Sequence, residues 1–330
     1  MRQQAEGSGY GGPELFVRAP ANPVLTPDDW PYPANSVFNP GAALVDGQTV
    51  LLCRVEDRRG ISHLTVARSA DGATGWKVDE SPLIAADRTD RTSCWGVEDA
   101  RCSRIDELDS WLISYTAYGP GGPCVALAIT QDFREVEHIG IAMPPEDKNA
   151  SLLSRHIDGK FVLFHRPAAY QSGRADVWLS RSTDLRSWTA PEPVLRARPS
   201  IWWDSVRIGF GPPPLDTPHG WLCVYHGVKQ MVSGPIYRAG LVLLDRDNPT
   251  RVLRRSEEWV LGPRAGYERH GDVPNTIFPT GLVHDPGTGD LRLYYGAGDT
   301  VVAMASAPLD AVLEYVLACP EGDSLSEFES

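Results

Sequence analysis

Positive charge is scarce in this chain: 31 Lys and Arg stand against 43 Asp and Glu over 330 residues, a net charge of −12. Such a surface repels a phosphodiester backbone, so general nucleic-acid binding is disfavoured unless the few cations cluster. Long apolar runs are missing too. No window stays apolar over the roughly 18 residues that a membrane-spanning helix needs, so no membrane association is expected. The opening MRQQAEGSGYGGPELF lacks the apolar stretch of a secretory leader, which predicts a cytoplasmic protein. Its first 15 residues read as a flexible lead-in, without the GK[ST] ending of a phosphate-cradling loop. The six cysteines include no CxxC pair and several sit in apolar runs, so buried reduced thiols are expected, and Asn149-Ala150-Ser151 is expected to stay unglycosylated. No His/Cys/Asp/Glu set has ligand spacing, so the reading calls for no metal and no cofactor.

Helical periodicity is the last thing in short supply, with LDAVLEYVL near 309–317 its one clear instance. In its place a β-rich run recurs as VLLCRVED (50–57), WLISYTAY (111–118), FVLFHRPA (161–168), WLCVYHGV (221–228) and LRLYYGAG (291–298). A turn signal precedes each run, as at Asp46-Gly47 and Asp158-Gly159. After a loop a second β-rich run follows: HLTVARSADG, VALAITQD, DVWLSRSTD, AGLVLLDRD and VVAMASAPLD. Upstream of each turn lies a strand with small and polar residues: FNPGAALV, VEDARCSRI, KNASLLSRHI, IGFGPPPL and FPTGLVH. A meander of three or four strands repeated five times predicts an all-β fold, a single five-bladed β-propeller over residues 16–330 with its active site at the central axis. A pair of β-sandwiches would require the in-phase recurrence to be accidental.

In a propeller the innermost strand of each blade lines the axis, and the residues that look out of place in a β core fall at equivalent points of the repeat. At the heads of the first strands are Asn35, Ser36 and Asn39; Glu98, Asp99 and Arg101; Lys148 and Asn149; Arg207; and Asn275. At the ends of the second are Arg54, Glu56 and Asp57; Tyr115; His165 and Arg166; His226; and Asp299. Sign segregates along the chain. Asp57, Glu98, Asp99 and Asp299 come from repeats one, two and five, whereas Lys148, Arg166, Arg207 and His226 come from three and four. A structural ion network is the plain alternative for any one of these residues. Taken as a set, an acidic half with amides suits a neutral polyol plus one proton donor, and a cationic half suits an oxyanion such as phosphate. That layout is the one phosphorolysis of a glycosidic bond requires.

NSVFNPGAALVDG (35–47), RVEDRRGISHLTVARSADG (54–72), GVEDARCSRID (96–106), FVLFHRP (161–167), IGFGPPP (208–214), WLCVYHGV (221–228), VPNTIFPTG (273–281) and YYGAGDT (294–300) resemble the motifs of glycoside hydrolase family 130. The resemblance spans about residues 20–317 and implies a five-bladed propeller that is a β-mannoside phosphorylase or, in some members, a β-mannosidase. It implies that Asp99 is the single general acid, its proton passing through the 3-hydroxyl of the bound mannose to the glycosidic oxygen. Asn35, Ser36, Arg54 and Asp299 match residues that hold the mannosyl unit, and Asp57 is grouped with them. Lys148, Asn149, Arg166, Arg207 and His226 match the phosphate pocket. Two departures are visible: Arg207 stands where phosphorylases carry Lys, and Ala100 where most relatives carry Pro.

The expected reaction is inverting phosphorolysis of a β-mannoside, with inorganic phosphate as co-substrate, to α-mannose 1-phosphate. Phosphate dianion is itself a nucleophile, so the base that an inverting hydrolase needs can be absent. Asp99 must then hold a proton near neutral pH, while Glu98 is expected on the opposite strand face. Glu257, Glu258 and Glu268 keep a hydrolase of the same fold open, and a non-catalytic sugar-binding propeller is a further alternative. The forms NSVFNPGA and GVEDARC point to β-1,4-linked oligosaccharide or mannosyl-N-acetylglucosamine substrates, with a β-1,2-specific phosphorylase as the alternative. Loops 117–124, 168–176 and 229–238, with Tyr118, Tyr170, Tyr237 and Arg238, are the expected acceptor contacts. The sequence leaves a homo-oligomer open.

Overall fold

In the computed structural model the described residues are 14–167, 175–199 and 201–322; most of the lead-in (1–13) and Tyr170 lie outside them. The chain enters on β1 (Val17–Arg18) and then lays down five antiparallel meanders. Blade one is β2 (Ser36–Val45), β3 (Gln48–Glu56), β4 (Ser62–Ser69) and β5 (Lys77–Val78). Blade two is β6 (Gly96–Ile105), β7 (Ser110–Gly119), β8 (Gly122–Thr130) and β9 (Glu137–Met143). Blade three is β10 (Asp147–Leu152), β11 (Phe161–Pro167), β12 (Val177–Ser182) and β13 (Glu192–Leu195). Blade four is β14 (Arg207–Phe210), β15 (Leu215–Thr217), β16 (Gly220–Met231), β17 (Gly234–Leu244) and β18 (Val252–Arg255). After the short helix α1 (Gly266–Arg269), blade five is β19 (Ile277–His284), β20 (Asp290–Ala297) and β21 (Val301–Pro308), followed by α2 (Leu309–Ala318).

The recurring runs are the second strands of the blades, β3, β7, β11, β16 and β20. They are continuously apolar because both faces of each blade are covered. Alternation sends neighbouring residues to different interfaces: Val50 and Leu52 pack between blades one and two, Leu51 and Cys53 between blades five and one. The buried apolar residues fall into five clusters, each shared by two consecutive blades, and one of them joins blade five to blade one. The ring is therefore a closed five-bladed propeller. Its hairpins carry the expected turns: Asp46 (φ 50°) and Gly47 (φ 76°), like Asp158 (φ 50°) and Gly159 (φ 70°), adopt the two left-handed conformations of a tight hairpin.

Closure uses a strand the sequence pattern did not reveal. β1 pairs with β21 (Val17 with Ser306, Arg18 with Ala305), so the outer strand of blade five comes from the other end of the chain. Arg18 then reaches Glu268, Nε to Oε1 at 2.7 Å. That wholly buried carboxylate also accepts from the Arg264 and Ala265 amides and the Tyr295 hydroxyl.

Candidate active site

Three inner strands break their register at the same step: between Phe38 and Gly41, Glu98 and Arg101, and Lys148 and Ser151. In each, the residue at the break has left-handed backbone: Asn39 (φ 46°), Asp99 (φ 52°) and Asn149 (φ 56°). Asn and Asp tolerate that conformation better than other side chains that carry a Cβ, and each bulge turns an amide or carboxylate toward the axis. The segments FNPG, EDAR and KNAS are thus one motif, legible only once the repeats are aligned on it. Asn39 was expected only as one of the polar set; the structure gives it a partner, its Nδ2 donating to Asp99 Oδ1 at 2.9 Å.

These side chains line a cavity of about 150 Å³ at the axis, whose wall also includes Arg54, Lys148, Arg166, Arg207, His226 and Asp299. Eight of the eleven expected site residues are brought together there. Val273, Thr276 and Phe278 complete the wall with Tyr237, among the described residues the one acceptor candidate that reaches it.

Arg54 is the centre of the acidic half. Its Nη1 meets Asp99 Oδ1 at 3.2 Å, its Nη2 meets Glu98 and Glu56 at 3.3 Å each, and its guanidinium lies 4.6 Å above the Phe38 ring. Glu98 therefore shares Arg54 with Asp99 rather than pointing away, because the bulge cancels simple alternation. Burial pushes the Asp99 carboxyl up, but the charges of Arg54, Arg101 and Lys148 outweigh it and hold the group below the usual carboxylate range. The carboxyl that favours a proton is instead Asp299. Burial, the Asp99 charge and the weaker fields of Asp272 and Glu56 push Asp299 up to about 7 against Arg54.

On the cationic half the strand pair β10–β11 sets Lys148 directly across from Arg166. The Asn149 amide, oriented with its oxygen toward the donors, accepts from Arg166 Nε (3.0 Å) and Nη2 (3.2 Å). Behind them His165 Nδ1 meets Asp147 at 2.6 Å and Nε2 meets Ser180 at 3.2 Å. This Asp–His–Ser series is buried on three adjacent strands, so it braces Lys148 and Arg166 instead of offering a nucleophile. His226 stands 4.5 Å from the Phe278 ring; burial and the charges of Arg166, Arg101, Arg207 and Lys148 drive its pKa well down, leaving a neutral imidazole. Gly209 makes room: a Cβ there would come within 2.6 Å of the His226 ring and 2.8 Å of the Asn149 amide. Arg207, in place of the expected Lys, lies 6.0 Å from the Tyr237 ring centroid.

Three expected residues do not line the cavity. The Asp57 carboxylate is spent within its own hairpin, accepting from the amides of Arg59 (2.7 Å) and Ile61 (3.2 Å) and pairing with the Arg59 guanidinium, so it leaves the sugar-binding set. Asn35 and Ser36 stand at the junction of blades one and five, where Ser36 Oγ donates to Asp272 at 2.9 Å. Asp272, which sequence reasoning missed, is one of the charges that raise Asp299. None of Glu257, Glu258 and Glu268 lines the cavity: the first two are exposed beyond β18, and Glu268 belongs to the ring closure. Of the other acceptor candidates, Arg238 stacks on Trp259 at 4.3 Å, and Tyr118 forms an exposed edge-to-face pair with Trp95 at 5.4 Å. Among the described residues no helix is long and apolar enough to cross a membrane.

The family model described as beta-1,4-mannooligosaccharide phosphorylase matches residues 18–317. The chain belongs to glycoside hydrolase family 130. It is 34% identical over 313 residues to a beta-1,4-mannooligosaccharide phosphorylase of Ruminococcus albus, covering 92% of this chain and 91% of that protein. It is 32% identical to a 1,2-beta-oligomannan phosphorylase of a Thermoanaerobacter species, over 86% of this chain and 94% of that protein. The solved complex of a Listeria innocua beta-1,2-mannobiose phosphorylase with beta-1,2-mannobiose superposes with a TM-score of 0.83 at 28% identity, covering 92% of this chain and 99% of that one.

Proposed function

We propose that this family 130 member is an inverting phosphorylase that transfers the mannosyl unit of a β-1,4-linked mannoside to inorganic phosphate, yielding α-mannose 1-phosphate. The observation that carries the reading is that Asp99 and the cationic set Lys148, Asn149, Arg166, Arg207 and His226 line one and the same cavity. A phosphate oxygen attacks the anomeric carbon as the glycosidic C–O bond breaks. The leaving oxygen takes a proton that originates on Asp99, relayed through the mannose 3-hydroxyl as the family resemblance implies. Arg54 and Asp299 hold the mannosyl unit, and the chemistry needs no cofactor.

Only Asp99 and Asp299 supply carboxylates to the described cavity wall, and both belong to the acidic half. A base carboxylate beside the cations would repel phosphate by about 1–4 kcal/mol at close contact. The proton balance fits phosphate as the trigger. Lys148 is one of the three cations that keep Asp99 ionised, so a phosphate dianion next to Lys148 offsets it and raises the proton affinity of Asp99 on binding. Relatives acting on β-1,4 and β-1,2 linkages match at similar identity; the motif forms NSVFNPGA and GVEDARC favour β-1,4. The test incubates the protein with β-1,4-mannobiose, β-1,4-mannosyl-N-acetylglucosamine and β-1,2-mannobiose, with and without phosphate. Phosphate-dependent α-mannose 1-phosphate from the β-1,4 substrates supports the reading; free mannose released without phosphate overturns it.

A further inference from the structure

We propose that Arg101 is a positioning residue that spans the hub beneath the cavity, holds Asp99 in its left-handed bulge and sets its charge beside that carboxyl. Arg101 does not line the cavity and is 0% exposed. It leaves β6 two residues after Asp99, and its Nη1 donates to the backbone carbonyl of Asp99 itself. Its Nε crosses to blade four and donates to the carbonyl of Gly211 at 3.0 Å. Its guanidinium carbon lies 5.6 Å from the centroid of Phe278 in blade five, the ring that packs at a tilt against His226. One side chain thus touches three blades.

The contact with Gly211 is not arbitrary. In the aligned segments FNPG, EDAR, KNAS, FGPP and FPTG, Gly211 occupies the place that Asp99 occupies in blade two. Arg101 ties the Asp99 bulge to the equivalent residue of another blade, so the backbone that aims the Asp99 carboxyl is held from across the ring. A neutral donor could make the same two bonds with far less desolvation. Burial brings the Arg101 pKa down to about 10, so it still carries its charge at neutral pH, and Nη2 has no hydrogen-bond partner among the described residues. The charge acts on both halves of the cavity: it favours the Asp99 carboxylate and disfavours protonation of His226.

Asp99 also faces Arg54 from β3, Lys148 from β10, Asn39 from β2 and Asp299 from the β20–β21 loop, so the Arg101 share must be isolated by substitution. Arg101→Met removes charge and fork; Arg101→Lys keeps the charge and loses the fork. Carboxyl-¹³C aspartate labelling, with Asp99→Asn to assign the resonance, reads the Asp99 titration in each protein directly. The expected result is a midpoint about one pH unit higher in Arg101→Met and unchanged in Arg101→Lys. In the same proteins kcat for a β-mannoside with phosphate falls about tenfold or more in both variants, while the KM for phosphate changes less than about threefold.

The catalytic half rests on the phosphorylase reading, whereas the titration does not, so the two can fail separately. A parent enzyme that turns over without phosphate sinks the function and leaves the Asp99 midpoint to judge Arg101. If Arg101→Met melts earlier yet keeps the parental midpoint and kcat, Arg101 is only a structural staple and the inference is wrong. Should the Met variant not fold, parental kcat in Arg101→Lys overturns the positioning role.

Discussion

The amide of Asn39 donates to the carboxylate of Asp99 at 2.9 Å, although the two are 60 residues apart and belong to different blades. Each sits in a left-handed bulge at the same step of its inner strand, with φ of 46° and 52°. The pairing is a property of the repeat: two copies of one backbone irregularity, placed side by side by ring closure, put a donor against the candidate acid.

Asp99→Asn removes the only proton-bearing atom in this role while keeping the shape that Asn39 and Arg54 recognise. Turnover of a β-mannoside with phosphate should fall at least about 10²-fold, with phosphate binding by calorimetry retained. Parental turnover in that variant would exclude Asp99 as the acid.

Arg166→Ala removes a cation from the phosphate side and leaves the Asn149 oxygen without its donor. The KM for phosphate should rise by about tenfold or more, and that for the mannoside by much less. Equal effects on both constants would contradict the division of the cavity into two halves.

Asp299 titrates near 7, far above its ordinary 3.8. The folded state therefore binds this proton more tightly than the unfolded chain, and stability should fall as pH rises from about 4 to about 7. Asp299→Asn removes the titration. Relative to the parent it should gain on the order of 1–3 kcal/mol of unfolding free energy on going from about pH 5 to about pH 8, read from urea melts at both values. A difference between variant and parent that stays flat across this window would show that Asp299 is not held protonated.

Gly296 is the space that Asn39 occupies, for a Cβ at residue 296 would fall 1.9 Å from Asn39 Oδ1. Gly296→Ala should destabilise the fold by roughly 1–3 kcal/mol and displace the amide from Asp99. Adding Asn39→Ala should restore much of the melting temperature without restoring the rate. Recovery of both would remove Asn39 from the machinery.

Trp95 is 48% exposed and meets Tyr118 edge to face, immediately ahead of the strand that carries Asp99. An exposed indole four residues ahead of Asp99 in the chain offers a flat face of the kind that suits the apolar side of an acceptor sugar. Trp95→Ala should raise the KM for a β-1,4-mannoside several-fold and leave that for phosphate unchanged; steady-state kinetics with each substrate varied in turn decides it.

Much of the architecture was legible because two-sided burial leaves a plain signature, short apolar runs at a recurring interval with turn residues before each. The N-terminal strand was not, since a two-residue strand such as Val17–Arg18 has no periodicity of its own and is defined only by its partner β21. Glu98 shows where alternation misleads: one extra residue in the strand brings it and Asp99 to the same guanidinium. Asp57 shows the converse, a carboxylate at an apt position in the repeat that a hairpin loop uses for its own amides.

By itself the sequence determined the number of repeats, the apolar faces, and the separation of acidic residues in blades one, two and five from cationic ones in three and four, because these depend on composition and spacing along one chain. Only the tertiary structure decided which polar groups converge, which carboxyl keeps a proton, and which buried cation braces the acid from across the hub. Convergence is set by bulge torsions and ring closure, and proton affinity by the sum of fields from several blades. Neither quantity exists until residues far apart in sequence stand within a few ångströms of one another.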